Sequence, residues 1–270
     1  MIARLISSLL LVLLLATPLR AEMLRMAVTT SFANSGLADI LLPEIARDTG
    51  IELQLLIVGT GQALRLGAAG DVDAVLVHSR EAEEAFIAQG HATHRREIMY
   101  NDFIIVGPRH DPAHVAGAGS AAEAFARIAR AGAPFVSRGD DSGTHRAELS
   151  IWSRAGVTPS GAWYRATGQG MGAALNTASG MGAYILTDRA SWLNFSNRAD
   201  LVLLVQGDPA LFNQYAFLPV NPARHPHVRA QEAALVEAWL TGPRARELID
   251  GYRLHGQQLF HFNATPMVTK

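Results

Sequence analysis

The chain of 270 residues contains no cysteine. That absence excludes disulfides, thiolate metal sites, cysteine nucleophiles and a lipid anchor attached through a lipobox cysteine. Charge is sparse as well: Asp, Glu, Lys and Arg make up 17% of the residues, and aromatics 7%. With 23 basic against 24 acidic residues, the formal net charge is −1. Neither sign dominates enough for nucleic acid or a membrane surface to be held by bulk attraction. A bound anion would have to be held by local donors. The histidines are scattered, and the close pairs His91/His94 and His225/His227 lack carboxylates at metal-ligand spacing, so they read as surface residues. His78, at the end of a strand facing the expected cleft, is the one placed to approach a ligand.

The chain opens MIARLISSLLLVLLLATPLRAE. Arg4 supplies a positive start, residues 5–15 are almost wholly apolar, and Leu19-Arg20-Ala21 forms a cleavage box, the pattern of a secretory signal peptide cut after Ala21. The apolar run falls short of the ~20 residues needed to span a membrane. Removing residues 1–21 takes Arg4 and Arg20 away and leaves 22–270, with 21 basic against 24 acidic residues and a net charge of −3. The expectation is an exported periplasmic protein of one large or two ordinary domains.

Short apolar runs alternate with helical stretches. Strands are expected over 24–30, 51–59, 73–79 and 101–108, separated by helices over 35–49, 61–70 and 81–90. After Pro108 a turn-rich passage, RHDPAHVAGAGS, begins a second alternating series. It ends with the strand LVLLVQGDP (201–209), and two helices close the chain, from about His227 to Trp239 and from Pro243 to Gln257. Strict alternation implies parallel strands with crossover helices. The fold class expected is α/β with two lobes: the first from 22–107 and 206–270, the second, 108–205, inserted into it. The two crossings would form a hinge, and ligands in such sheets bind at the carboxyl ends of strands.

Three loops share one design. TTSFANSG (29–36), GTGQA (59–63) and SRGDDSGTH (137–145) each follow a strand, carry glycine and hydroxyl residues, and open a helix. Helix N-termini present unpaired N–H groups and partial positive charge, and several converging make an anion site without net charge. In the third loop Arg138 can hold an oxyanion through parallel N–H groups. Asp140 is spaced to steady the guanidinium. Ser142 and Thr144 offer hydroxyls, and Gly143 and Thr144 offer backbone N–H. A serine-hydrolase reading centred on Ser142 is the rival from another class. It fails on the lack of a nucleophile elbow and of a convincing base, since His145 lies on the following helix. The glycine-rich TGQGMGAALNTAS (167–179) is not a dinucleotide fingerprint, and its amides either reach an anion or pack. GMGAYILTDRASW (180–192) reads as a core strand followed by a cap.

Taken together, "TTS…NSGL" (29–37), "VGTGQAL" (58–64), "DAVLVHS" (73–79), "MYNDFIIVGP" (99–108), "FVSRGDDSGTH" (135–145), "WY…GQGMGAALNTAS" (163–179), "AYILTDRASW" (183–192) and "VNP" (220–222) resemble the tungstate-binding proteins of bacterial tungstate ABC importers. That is a family of type II periplasmic binding proteins. The resemblance implies a monomeric, non-catalytic receptor that needs no cofactor, traps one tetrahedral oxyanion and delivers it to an inner-membrane permease. By matching position it implies Thr30 or Ser31, Thr60, Arg138, Ser142, Gly143 and Thr144 as ligands, with Asp140 behind Arg138. The first loop departs from the family pattern at Phe32-Ala33-Asn34, which leaves Thr29, Thr30 and Ser31 open as donors. Phosphate receptors share Arg-x-Asp-x-Ser-Gly-Thr, so a phosphate receptor is the alternative. Phosphate keeps a proton at neutral pH and needs a buried acceptor carboxylate, and GTGQALRLG holds no aspartate for it. The donor set therefore points to tungstate or molybdate, which it does not separate.

Overall fold

The computed structural model describes residues 22–265. The expected signal peptide lies outside them. The first half of the fold runs β1 (Glu22–Thr29), α1 (Thr30–Asn34), α2 (Leu37–Thr49), β2 (Ile51–Val58), α3 (Thr60–Ala69), β3 (Ala74–Val77), α4 (Arg80–Ala88) and β4 (Arg96–Pro108). It continues through α5 (Ala121–Ala131), β5 (Phe135–Ser137), α6 (Gly143–Arg154), β6 (Tyr164–Ala166), α7 (Met171–Met181), β7 (Tyr184–Asp188), α8 (Arg189–Asn194) and β8 (Leu201–Val205). Then follow β9 (Phe212–Pro219), α9 (Ala230–Leu240), α10 (Pro243–Gly251), β10 (Arg253–Leu254), β11 (Gln257–Gln258) and β12 (His261–Phe262).

Local sequence accounts for most of these elements. In α2 the buried residues Leu37, Leu41 and Ile45 repeat every fourth position, and Gly50 ends the helix with φ 73°. In α5 the Ser120 hydroxyl accepts from Glu123 N–H at 3.1 Å, and Ala121, Ala124, Phe125 and Ile128 face the core. All four residues of β3 are buried, as a strand covered on both faces requires.

Strand order along the main sheet is β2–β1–β3–β9–β4–β7–β5–β6, with β8 and β12 also paired to β4. The pairs β1–β2, β1–β3, β5–β6 and β5–β7 are parallel, as the alternation predicts. The middle is not. The strand β9, which contains most of YAFLPVNP, lies between β3 and β4 and runs antiparallel to both. A C-terminal strand inserted this way has no crossover helix, so alternation in the sequence does not reveal it. The long β4 changes partner along its length: Arg96–Asp102 pairs with β9, Phe103–Val106 with β7, and Ile105–Pro108 with β8. Apolar side chains gather on both faces at each end of the sheet, for example around Leu41 and Phe217, and around Phe125 and Trp152.

Of the boundaries that differ from expectation, three matter most, while the strand expected over 201–209 ends at Val205 and the helix expected from His227 starts at Ala230. The loop after β1 already contains the short helix α1, capped by Thr29. The strand β4 begins at Arg96, five residues before the apolar run. The last helix stops at Gly251 rather than Gln257, because His255 (φ 50°) and Gly256 (φ 81°) turn residues 253–258 into a small hairpin. Two consecutive positive φ values are what a two-residue hairpin turn needs and what a helix cannot contain.

Candidate anion site

The three loops singled out by sequence meet where β1, β2 and β5 end. At the first, Thr29 Oγ1 accepts from Phe32 N–H at 3.3 Å and lies 3.0 Å from Ser31 Oγ. At the second, Gly59 precedes Thr60, which starts α3. Thr60 is 1% exposed, and its hydroxyl has no hydrogen-bond partner among the described residues. At the third, Ser142 caps α6, its hydroxyl accepting from His145 N–H at 3.3 Å.

Arg138 is the positive centre. Its Nε and Nη2 donate to Asp140 Oδ2 at 3.1 and 2.5 Å, and Asp140 Oδ1 accepts from Ser142 N–H at 3.2 Å. Burial pushes the Asp140 carboxyl up, but hydrogen bonds from Ser142 and Arg138 outweigh it and hold the pKa below its ordinary value. Asp140 thus stays ionised and fixes the guanidinium, as the spacing predicts. The loop can turn this tightly because Gly139 (φ 61°) and Asp141 (φ 58°) both adopt left-handed backbone.

Helix α6 closes on the end of β3. A Cβ placed on Gly143 would lie 2.2 Å from His78 Cε1, so only glycine permits this approach. The ring of His78 packs against Tyr215 at 4.8 Å, and its Nε2 lies 3.1 Å from Ser31 Oγ. Tyr215 OH lies 3.2 Å from the same oxygen. Burial, assisted by the Arg138 charge, lowers the His78 pKa to about 4, so the imidazole is neutral at pH 7.

These groups bound a cavity of about 10 Å³ lined by Thr29, Thr30, Ser31, Gly59, Thr60, His78, Arg138, Ser142, Gly143 and Thr144. All seven residues named as ligand candidates line it, with Thr29, Gly59 and His78 in addition. Asp140 stands behind Arg138. No carboxylate is among the lining residues. An adjoining chamber of about 480 Å³ shares Thr30, Ser31 and Arg138 and adds Gly170–Ala173, at the start of α7, and Asp188. The glycine-rich turn before α7 therefore faces this chamber rather than the small cavity. A larger outer groove of about 920 Å³ between α3, α4 and α6 shares none of the ten residues.

A nucleophilic Ser142 does not fit this geometry. Its hydroxyl accepts the His145 N–H, and the His145 ring nitrogen Nδ1 accepts from Asp141 N–H at 3.1 Å. Three of the four paired histidines have hydrogen-bond partners, and His91 packs against Phe86. His225 and His227 Nε2 lie 3.0 and 2.9 Å from the Ala68 and Gly70 carbonyls at the end of α3, and His94 bonds Glu237 at 2.8 Å. Two residues near the cavity escaped the sequence reading. Tyr215 sits in the strand β9, which the alternation does not reveal. Asp188 sits in LTDRAS, where a strand end, a polar residue and a helix start repeat the design of the other three loops, and it reads there as a cap.

An α/β fold with donor-rich loops gathered around one small cavity is the architecture of a binding protein, and the PBP superfamily domain matches residues 18–243. The chain belongs to that superfamily. It is 44% identical over 243 residues to the tungstate-binding protein TupA of Peptoclostridium acidaminophilum, covering 88% of this chain and 85% of that protein. The structure of the tungstate-binding protein TupA from Desulfovibrio alaskensis G20 superposes with a TM-score of 0.82 at 44% identity, over 91% of this chain and 100% of that one. The structure described as the tungstate ABC transporter from Geobacter sulfurreducens gives 0.78 at 47% identity, over 86% and 99%. Within the superfamily, the chain is therefore a member of the TupA-like group.

Proposed function

We propose that this protein is the periplasmic receptor of an ABC importer, that it captures tungstate as a tetrahedral dianion, and that it delivers the anion to the permease. The observation that carries this reading is the donor-only lining of a cavity of about 10 Å³. Hydroxyls, backbone N–H groups at helix starts, a neutral imidazole and one guanidinium converge with no opposing carboxylate. Such a lining suits an anion with no proton of its own. Hydrogen bonds to a charged group contribute about 1.5–3 kcal/mol each. Five or six, less about 4 kcal/mol or more for lost freedom, reach the roughly −12 kcal/mol of a nanomolar constant.

In this reading Thr30 or Ser31, Thr60, Arg138, Ser142, Gly143 and Thr144 hold the ion, and Asp140 orients Arg138. The lobes are 22–107 with 206–270, and 108–205; the partner change along β4 supports a crossing there. The protein works as a monomer without a cofactor, reaches the periplasm by a cleaved signal peptide, and binds molybdate as the nearest competitor. Calorimetric titration of residues 22–270 with tungstate, repeated with molybdate, sulfate and phosphate in excess, tests it. Tight one-to-one binding undisturbed by phosphate is expected. Preferential phosphate binding would overturn the assignment.

A further inference from the structure

The adjoining chamber contains a group that the donor set does not explain. Asp188 ends β7 and is 1% exposed. Its Oδ1 accepts from Ser191 N–H at 2.8 Å and caps α8. Its Oδ2 is buried and has no hydrogen-bond partner among the described residues. The chamber that Asp188 lines shares Thr30, Ser31 and Arg138 with the small cavity, so the residue neighbours the anion site.

Charge makes the placement consequential. Arg138 is already paired with Asp140. Arg189, next in sequence to Asp188, is engaged by Asp102 at 2.7 Å and by Gln206 Oε1 at 2.8 Å. His78 and Tyr215, the other titratable groups beside the cavity, are neutral at pH 7: burial lowers the first and raises the second. An ionised Asp188 would therefore leave the site with net negative charge before a dianion arrived. Burial already favours the neutral carboxyl, against hydrogen bonds from Ser191 and the charge of Arg138. Two further negative charges nearby push in the same direction.

We propose that Asp188 is the proton acceptor of the anion site: capture of a dianion is accompanied by uptake of one proton on its unpartnered oxygen. Ionised, Asp188 is the acceptor that a protonated oxyanion such as hydrogen phosphate needs. Protonated, it no longer favours such a ligand, and the site is matched to an ion without protons. Asp188 is thus a specificity-determining residue. This inference rests on the reading of the cavity as a dianion site.

The test is calorimetry of tungstate binding across a series of pH values, each in buffers of different ionisation enthalpy, where the slope of observed heat counts the protons taken up. Read from about pH 5 to about pH 9, uptake is expected in the wild type to rise toward one proton per anion as the free carboxyl ionises, and to be absent throughout in Asp188→Asn. Wild-type affinity should also tighten by up to ~10-fold per unit fall in pH while the free carboxyl is ionised, and the variant should stay flat. Asparagine caps helices as well as aspartate, so α8 is preserved. The wild-type slope needs no variant at all. A wild-type slope near zero at every pH overturns the proposal. So does a slope that persists in Asp188→Asn and vanishes in His78→Asn, which would make His78 the acceptor. If tungstate gives no heat, the same slope is read with whichever of molybdate, sulfate or phosphate binds. Failure of all four removes the receptor reading itself, whereas binding with no proton uptake removes only Asp188.

Discussion

Among the described residues, Arg138 is the only cationic side chain on the small cavity, so its loss removes both a charge and a pair of directed N–H groups. Arg138→Ala should weaken tungstate binding by roughly 100-fold or more, the loss of one or two hydrogen bonds to a charged group. Arg138→Lys should recover little of it, because an ammonium lacks the planar fork. Asp140→Ala acts one step back. It frees the guanidinium and the Ser142 N–H, and a loss of about tenfold is expected. Titration calorimetry reads all three, with the melting temperature as a control for folding. Glu148 makes a separate prediction about stability. Its Oε1 accepts from Trp152 Nε1 at 3.1 Å and Tyr164 OH at 2.7 Å. Burial raises its pKa from 4.5 to about 7 despite these bonds. A raised pKa means that the folded state holds the proton more firmly. The stabilisation is therefore complete below pH about 4.5 and is lost as pH rises through about 7. Glu148→Gln, which keeps the acceptor and drops the charge, should raise unfolding stability at pH 8 by roughly 1–3 kcal/mol and change it little at pH 4. Urea denaturation at the two pH values checks this.

Helix α6 is the element on which the site turns. Its first residues Gly143 and Thr144 and its cap Ser142 all line the cavity, and it reaches them by packing Gly143 against His78. Gly143→Ala puts a methyl group where the His78 ring lies, so either the ring or the helix must move. Anion affinity should fall at least ~10-fold, since a donor displaced by even 1 Å loses most of its bond. In a double-mutant cycle with His78→Ala the two losses should not add, because removal of the ring removes the clash. Additive losses would mean that the helix start is positioned by other contacts. The same element shows what sequence discloses. The serine cap, the glycine and the threonine stand in order in SRGDDSGTH, and their helix-opening role follows from capping chemistry alone. The partner of Gly143 is 65 positions away in sequence, and nothing in the local pattern names it.

At the scale of the molecule, β4 and the segment after β8 join the two ends of the sheet, and Arg189 bonds to both, through Asp102 and Gln206. An anion held by loops from both ends should fasten them together. Ligand at about 1,000 times its dissociation constant adds roughly 4 kcal/mol to stability, which for a chain of this size is a rise in melting temperature of about 8–16 °C. Thermal scans with tungstate, and with sulfate as control, measure it. A rise with tungstate alone, absent in Arg138→Ala, would tie the stabilisation to the cavity.

The sequence by itself determined the strand and helix alternation, the three donor loops and the residue types on the cavity wall. These follow from periodicity and helix capping, which act over a few neighbouring residues. Only the tertiary structure decided that β9 enters between β3 and β4, that His78 lies against Gly143, and that Asp188, besides capping α8, is buried on the chamber that Arg138 also lines. Strand pairing across more than a hundred residues and the desolvation of a carboxyl depend on what surrounds a residue in space, and the composition of the chain near it carries no record of that.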